Sequence, residues 1–277
     1  NTSSFGNAIN FGALTAARTG MGACASEIRG VFGGGTSIST NIEYITIASA
    51  GNGISFGSLT VGKEYGSGLS SSTRGMFGAG QSAPAQALTS VIDYITISTL
   101  GNAISFGNLL NATADISTCA SPTRGIFGGG YTGPGNMGKL STIQYVTISS
   151  TGNAIKFGDL VTTRGRLCAC SNSVRGLFAA GELVPGTVMN IIDYITIAST
   201  GNAIYFGDLT VSRRSTGGNG ACASNIRGVF HGGISATNLL DYVTIATTGN
   251  AIKFGELSIA RFTLGACSDS HGGLGGF

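Results

Sequence analysis

Tryptophan is absent from the 277 residues, charged residues make up only 10% of them, and there are just 4 prolines and 2 histidines. Each shortage excludes something. A formal net charge of +3, carried by dispersed Lys and Arg, leaves no basic stripe of the kind nucleic acids require, so no DNA or RNA partner is expected. No run of 18 or more apolar residues occurs, and the chain does not open with a basic region followed by an apolar one. Neither membrane insertion nor a secretion signal is expected. Six cysteines without a paired C-x-x-C, and with only His231 and His271 as imidazole ligands, form no zinc signature, so neither a metal nor any other cofactor is expected. A start at Asn1 rather than methionine suggests a processed product or part of a longer polypeptide.

Glycine, by contrast, is abundant, with 47 copies and no G-X-Y period, which excludes a collagen-like chain. Between the glycines, Ile, Val, Thr, Tyr and Phe alternate in short runs, the pattern of many short strands joined by tight turns.

The chain also repeats itself. "GNAINFGAL" (6–14) returns as "GNGISFGSL", "GNAISFGNL", "GNAIKFGDL", "GNAIYFGDL" and "GNAIKFGEL", with its Asn at 7, 52, 102, 153, 202 and 250. The spacings of 45, 50, 51, 49 and 48 residues belong to propellers or solenoids. "RGVFGGG" (29–35) and "EYITIAS" (43–49) recur in register, the first ending in a degraded "HGGLGGF". Each period thus holds four strands in fixed order: a ("GACAS"), b ("RGVFGG"), c ("IEYITIA") and d ("GISFGSLTV"). In strand c, Tyr44 and Thr46 share one face and Ile45 and Ile47 the other, which fits a strand and no helix.

Four antiparallel strands per period describe a propeller blade. The predicted fold is an all-β, six-bladed β-propeller in a single domain spanning 1–277. Five blades are complete, at 15–61, 62–110, 111–161, 162–210 and 211–258. The sixth joins 259–277 to 1–14, so the two termini close the ring. Strand c occurs only five times, and a continuation beyond Phe277 is expected to supply the sixth.

Most recurrent residues read as architecture. The Phe of "FG" fills the inter-blade core, and its Gly allows close approach or a bulge. Arg29, Arg74, Arg124, Arg175 and Arg227 in strand b are expected to pair across the sheet with Glu43, Asp93, Asp193 and Asp241 in strand c, with Gln144 the exception. Cys24, Cys119, Cys170, Cys222 and Cys267 share one position with Leu69, so they read as small buried hydrophobes and not as disulfides. The acidic residues are spread over repeated positions, and both histidines fall in strand b words with no nucleophile word beside them. No catalytic residue is expected.

An apolar strand ending in a double glycine, then a Tyr-centred strand, an aromatic and an Arg resembles the kelch repeat. Here those marks are "VFGGG" (31–35), Tyr44, Phe56 and, in several blades, Arg18, Arg164, Arg213 or Arg261. Kelch blades usually carry a Trp where this chain has Phe, so the resemblance implies a divergent kelch-like propeller. The words "DYITIASTGNAI.FGDLT" are also similar to repeats in structural and tail-fibre-like proteins of marine tailed phages.

Variation is concentrated in the b–c and d–a loops, which leave the same face of a propeller, and function on a rigid scaffold sits on such loops. Lys63, Glu64, Tyr65, Tyr131, Asn136, Arg166, Arg213 and Arg214 are the candidate binding residues. The resemblances imply a non-enzymatic attachment module on a virion surface or otherwise extracellular. Its partners would be a host glycan or receptor protein and other fibre or virion subunits. The alternatives are a kelch-like scaffold inside a cell and a purely structural decoration subunit.

Overall fold

A computed structural model describes residues 7–84, 86–184, 186–215, 220–231, 233, 238–260 and 265–268. Five four-stranded antiparallel sheets follow one another along the chain. In blade 1 the strands are a (Met21–Ala25), b (Arg29–Gly34), c (Asn41–Thr46) and d (Ile54–Ser58). Blade 2 uses Ser67–Ser70, Arg74–Gly78, Val91–Thr96 and Ile104–Asn108. Blade 3 uses Ser117–Ala120, Arg124–Gly128, Thr142–Thr147 and Ile155–Asp159. Blade 4 uses Cys168–Ser171, Arg175–Ala179, Met189–Thr196 and Ile204–Arg213. Blade 5 uses Ala221–Ala223, Arg227–His231, Leu239–Thr244 and Ile252–Glu256. The chain is an all-β propeller.

The "FG" word does what its composition predicts. In every blade the c–d register slips by one residue beside the glycine, as between Ile42 and Glu43 opposite Gly57 and Ser55. The bulge presses the glycine onto the next blade: a Cβ on Gly57 would lie 2.1 Å from the Gly101 carbonyl oxygen, so no other residue fits. The preceding Phe meets the strand c Tyr edge-on, with ring centroids 6.1 Å apart for Tyr44 and Phe56.

The repeated Asn stitches blades together. Asn102 Oδ1 accepts the Ser58 N–H of the preceding blade at 3.1 Å, and Asn153, Asn202 and Asn250 do the same for Asn108, Asp159 and Asp208. The nonapeptide recurs because each blade needs both halves of this joint, the bulge and the acceptor.

Two short segments join blade 5 to blade 1 with the same contacts. Asn7 Oδ1 accepts the Glu256 N–H at 3.2 Å, and the carbonyls of Phe11 and Ala13 accept from Gly51 and Gly53 at 2.9 and 2.8 Å. Residues 7–14 therefore stand where a strand d would. Ser268 Oγ accepts the Ala223 N–H at 3.1 Å, as Ser70 and Ser171 do for Ala25 and Ala120. Residues 265–268 therefore stand where a strand a would. The b word at 271–277, with His271, lies outside the described residues, as does Arg261.

One expected pairing is wrong. The b–c register puts Arg29 opposite Thr46 and Phe32 opposite Glu43, three residues out of reach. Each strand b Arg instead lies over a strand c Tyr, 4.6 Å from the ring centroid for Arg29 and Tyr44, and Arg29 also donates to a carbonyl of the next blade, that of Ile97 at 2.7 Å. Arg74, Arg124 and Arg175 repeat both contacts. The strand c acids pair with cations from the d–a loops: Glu43 with Arg18, Asp93 with Lys63 at 2.8 Å, Asp193 with Arg164 at 3.0 Å, and Asp241 with Arg213. In blade 3, Thr113 and Gln144 replace both members of the pair, and Gln144 keeps only the backbone bond, accepting the Leu110 N–H at 2.7 Å.

All six cysteines are free thiols; Cys24, Cys119, Cys168 and Cys170 are buried as expected, and Cys222 and Cys267 are half-buried. Burial pushes the thiols of Cys24, Cys119 and Cys170 well up, and those of Cys168 and Cys222 to about 11, so none of these five is a thiolate at neutral pH.

Candidate functional site

The d–a and b–c loops interlock on one face. Short bridges join Glu64 to Gln81, Ala114 to Tyr131, and Gly165 to Glu182, so in blades 2 to 4 the d–a loop is fixed to the b–c loop of its own blade. On this face the backbone is linked from blade to blade. Tyr65 N–H donates to the Gly20 carbonyl at 2.8 Å, Asp115 to Tyr65 at 3.0 Å, Arg166 to Asp115 at 3.0 Å, and Ser215 to Arg166 at 2.9 Å. Gly20, Tyr65, Asp115 and Arg166 have φ of 67°, 58°, 50° and 60°, the same left-handed turn in four successive blades.

Around these side chains lies a network of charge. Arg166 bridges two carboxylates, reaching Asp115 at 2.9 Å through Nε and Glu182 at 3.0 Å through Nη1. Glu182 also takes Arg214, Lys139 at 3.5 Å and the Gly186 N–H at 2.9 Å. Burial by itself raises the pKa of Glu182, but the hydrogen bonds from Arg214 and Gly186 and the charges of Arg214 and Arg166 outweigh it and hold the carboxyl down at about 2. Burial also disfavours the Arg166 cation, and Asp115 and Glu182 more than offset that, raising its pKa. Lys139 goes the other way: desolvation lowers it in spite of Glu182.

Two tyrosines flank the network. The Tyr131 hydroxyl accepts the Gln81 side-chain N–H at 3.1 Å, and Lys139 lies 5.4 Å from its ring centroid. Burial, reinforced by Asp115, pushes the Tyr131 phenol up to about 12. Tyr65 is half-buried, and burial with the neighbouring Glu64 and Asp115 raises it as well. Both phenols stay protonated at neutral pH and can donate hydrogen bonds.

The structure thus gathers Glu64, Tyr65, Tyr131, Arg166 and Arg214 of the expected residues at one end of the axis. Asn136 ends a short 3-10 turn, Pro134–Asn136, in the b–c loop of blade 3, and its φ of 64° makes it a turn-former. Lys63 and Arg213 stand apart from these: both side chains are buried in the ion pairs with Asp93 and Asp241, each between a d–a connection and strand c. Asp115, Lys139, Glu182 and Gln81 were missed. None recurs in the repeat, and the only sequence signal for them is their place in loops that differ between blades.

His231 replaces a strand b glycine. Its Nδ1 is buried without a partner, and burial with the nearby Arg213 charge lowers its pKa to about 4. Among the described residues no group of His, Cys, Asp and Glu is arranged to hold a metal ion.

No protein-family model matches the sequence, and a search of curated proteins gives no match. The solved structure of YjhT is similar to this chain with a TM-score of 0.73, covering 92% of this chain and 88% of that one at 10% identity. At that identity the likeness is one of fold, and it agrees with the propeller seen here.

Proposed function

We propose that this chain is a six-bladed, kelch-like propeller and a non-enzymatic attachment module. Its place would be a virion surface or phage tail fibre, where it grips a host glycan or receptor protein at the axial end of its variable face. The observation that carries the reading is the series of equivalent positions Gly20, Tyr65, Asp115, Arg166 and Ser215, linked by one backbone pattern yet occupied by five different residue types. Framework positions do the opposite: the strand b Arg, the strand c Tyr and the turn Asn recur in all five blades. Identity where blades join and diversity where loops converge is what a recognition surface on a rigid scaffold needs.

The chemistry of the site favours binding over turnover. Glu182 is locked in ion pairs and ionised far below neutral pH, so it is poorly suited to act as a general acid. Tyr65, Arg166, Arg214 and Lys139 supply hydrogen-bond donors and a ring face, which suit the hydroxyls and apolar faces of a sugar. The phage assignment is carried by the resemblance of the repeat words. Six-fold closure is supported by residues 7–14 and 265–268, which repeat the strand d and strand a contacts between blade 5 and blade 1.

The test is a glycan array and whole bacterial or algal cells, probed with the protein and with a Tyr65→Ala, Arg214→Ala double variant. Binding that the double variant loses while its melting temperature stays close to the parent's assigns the site. A well-folded parent that binds nothing moves the reading to a structural subunit.

A further inference from the structure

The cations of this chain fall into two groups. Among the described residues, those of the d–a loops, the b–c loops and strand d are all in ion pairs. Arg29, Arg74, Arg124 and Arg175 are in none. Each begins a strand b beside the a–b turn, on the face opposite the variable loops. The described a–b and c–d turns of this constant face hold a single carboxylate, Glu27, and no lysine. The positive charge that no acid of the chain balances is therefore gathered here.

Each of these guanidinium groups is fixed before any partner arrives. It lies 4.6, 4.9, 4.8 and 4.8 Å from the strand c Tyr centroid in blades 1 to 4. Its Nη1 donates to a carbonyl of the next blade, at 2.7 Å for Ile97, 2.8 Å for Ile148, 2.9 Å for Ile197 and 3.0 Å for Ile245. Nε and Nη2 have no acceptor in the chain, and neither is among the buried atoms left without a partner, so this edge of the fork meets solvent. Two parallel N–H groups on a fixed planar edge fit a carboxylate, and little order remains to be imposed on binding.

Aliphatic side chains stand between the arginines. Ile28, Leu100 and Val174, in the turns of blades 1, 2 and 4, are more than half exposed. Ile28, Arg29, Thr73 and Ile97, with Glu27, line an open groove of about 370 Å³ between blades 1 and 2. Arginine and exposed aliphatics without lysine are the composition of a protein interface. An anionic sugar polymer would use the arginines and leave the aliphatics in water. A second copy is a poor match, because the described acids other than Glu27, Glu64 and Asp208 are already in ion pairs.

We propose that the constant face docks a separate acidic protein, through a surface on which Asp or Glu side chains are interspersed with apolar ones. The carboxylates take the open edges of Arg29, Arg74, Arg124 and Arg175, one blade apart, and the apolar side chains cover Ile28, Leu100 and Val174. Docking in this way leaves the variable loops facing away from the partner. The inference is independent of what those loops bind.

The probe is a short, fluorescently labelled peptide of Glu interspersed with Leu. Anisotropy at low salt should show saturable binding that weakens as salt is raised, and a peptide with Lys in place of Glu should not bind. The triple variant Thr73→Glu, Thr123→Glu, Ser173→Glu changes exposed turn residues and sets a carboxylate beside Arg74, Arg124 and Arg175. It should keep the parent's melting temperature and weaken binding at least tenfold, whereas the Tyr65→Ala, Arg214→Ala variant should bind as the parent does. If the triple variant melts early, Ser173→Glu alone should still weaken binding. Absence of saturable binding overturns the proposal, as does binding indifferent to the added carboxylates. Dextran sulfate that binds more tightly than the peptide also overturns it, because the occupant would then be a polysaccharide.

Discussion

Cys24 of blade 1 fills the space over Gly75 of blade 2: a Cβ on that glycine would lie 2.6 Å from the Cys24 sulfur. Cys267 stands over Gly30, Leu69 over Gly125, Cys119 over Gly176 and Cys170 over Gly228 in the same way. The glycine of the "RG" word and the residue at the cysteine position are two halves of one joint. Gly75→Ala is therefore expected to destabilise the protein by about 1–3 kcal/mol through overpacking. Cys24→Ala should recover part of that loss, giving a coupling of about 0.5–3 kcal/mol in a double-mutant cycle read by urea unfolding. Strict additivity would mean that the two residues do not share this space.

Blade 3 offers a second cycle. Thr113 and Gln144 occupy the places of the buried cation and acid, so the ion pair was exchanged as a unit. Gln144→Asp alone buries an unpaired carboxylate and is expected to cost about 3–5 kcal/mol. Thr113→Arg should be destabilising alone and should restore most of the stability in combination with Gln144→Asp. Chemical denaturation of the four proteins checks this, and a double variant no better than the worse single one would break the equivalence with Arg164 and Asp193.

His231 predicts an acid-side loss of stability in a window of its own. Its folded pKa of about 4 lies below the 6.5 of an unperturbed histidine, so between those values the unfolded chain holds more protons and stability rises with pH. The contribution is complete above about pH 6.5 and is lost as pH falls toward 4. His231→Ala, which installs the residue that blade 4 carries as Ala179, should flatten the dependence of melting temperature on pH in that range. An unchanged slope would assign the sensitivity elsewhere.

Five blades, their strand order and the roles of the Phe, Gly and Cys positions were legible in the sequence, because each is a local pattern repeated in register, whereas the Asn was read only as a turn residue. The ion pairs were not. Glu43 and Arg29 are both repeated and only a strand apart, but the actual partner, Arg18, lies 25 residues upstream in a loop that folds back over the blade. Thr113 with Gln144 was the available clue, since the two exceptions fall in the same blade. In the candidate site, Tyr65, Tyr131, Arg166 and Arg214 were named from loop chemistry. Lys63 and Arg213 came in by the same reasoning and are buried, because exposure cannot be read from residue type in loops that interlock. Glu182 had no repeated neighbour to mark it as the point on which Lys139, Arg166 and Arg214 converge.

The axial ring has a bearing on how such a protein diversifies. At Gly20, Tyr65, Asp115 and Arg166 the main chain takes its own hydrogen bonds and keeps its left-handed turn whatever side chain is attached. An exchange at the half-buried Tyr65 or Arg166 changes what the mouth of the propeller offers a partner, whereas Asp115 is buried in its ion pair with Arg166 and a Cβ on Gly20 would lie 2.9 Å from the Tyr65 ring. The limit on the alphabet comes from the backbone: a positive φ tolerates Gly, Asn and Asp most easily and resists Val, Ile and Thr. A lineage of these chains would explore new partners through polar and aromatic substitutions at these few turns, while its aliphatic residues stay locked between the blades.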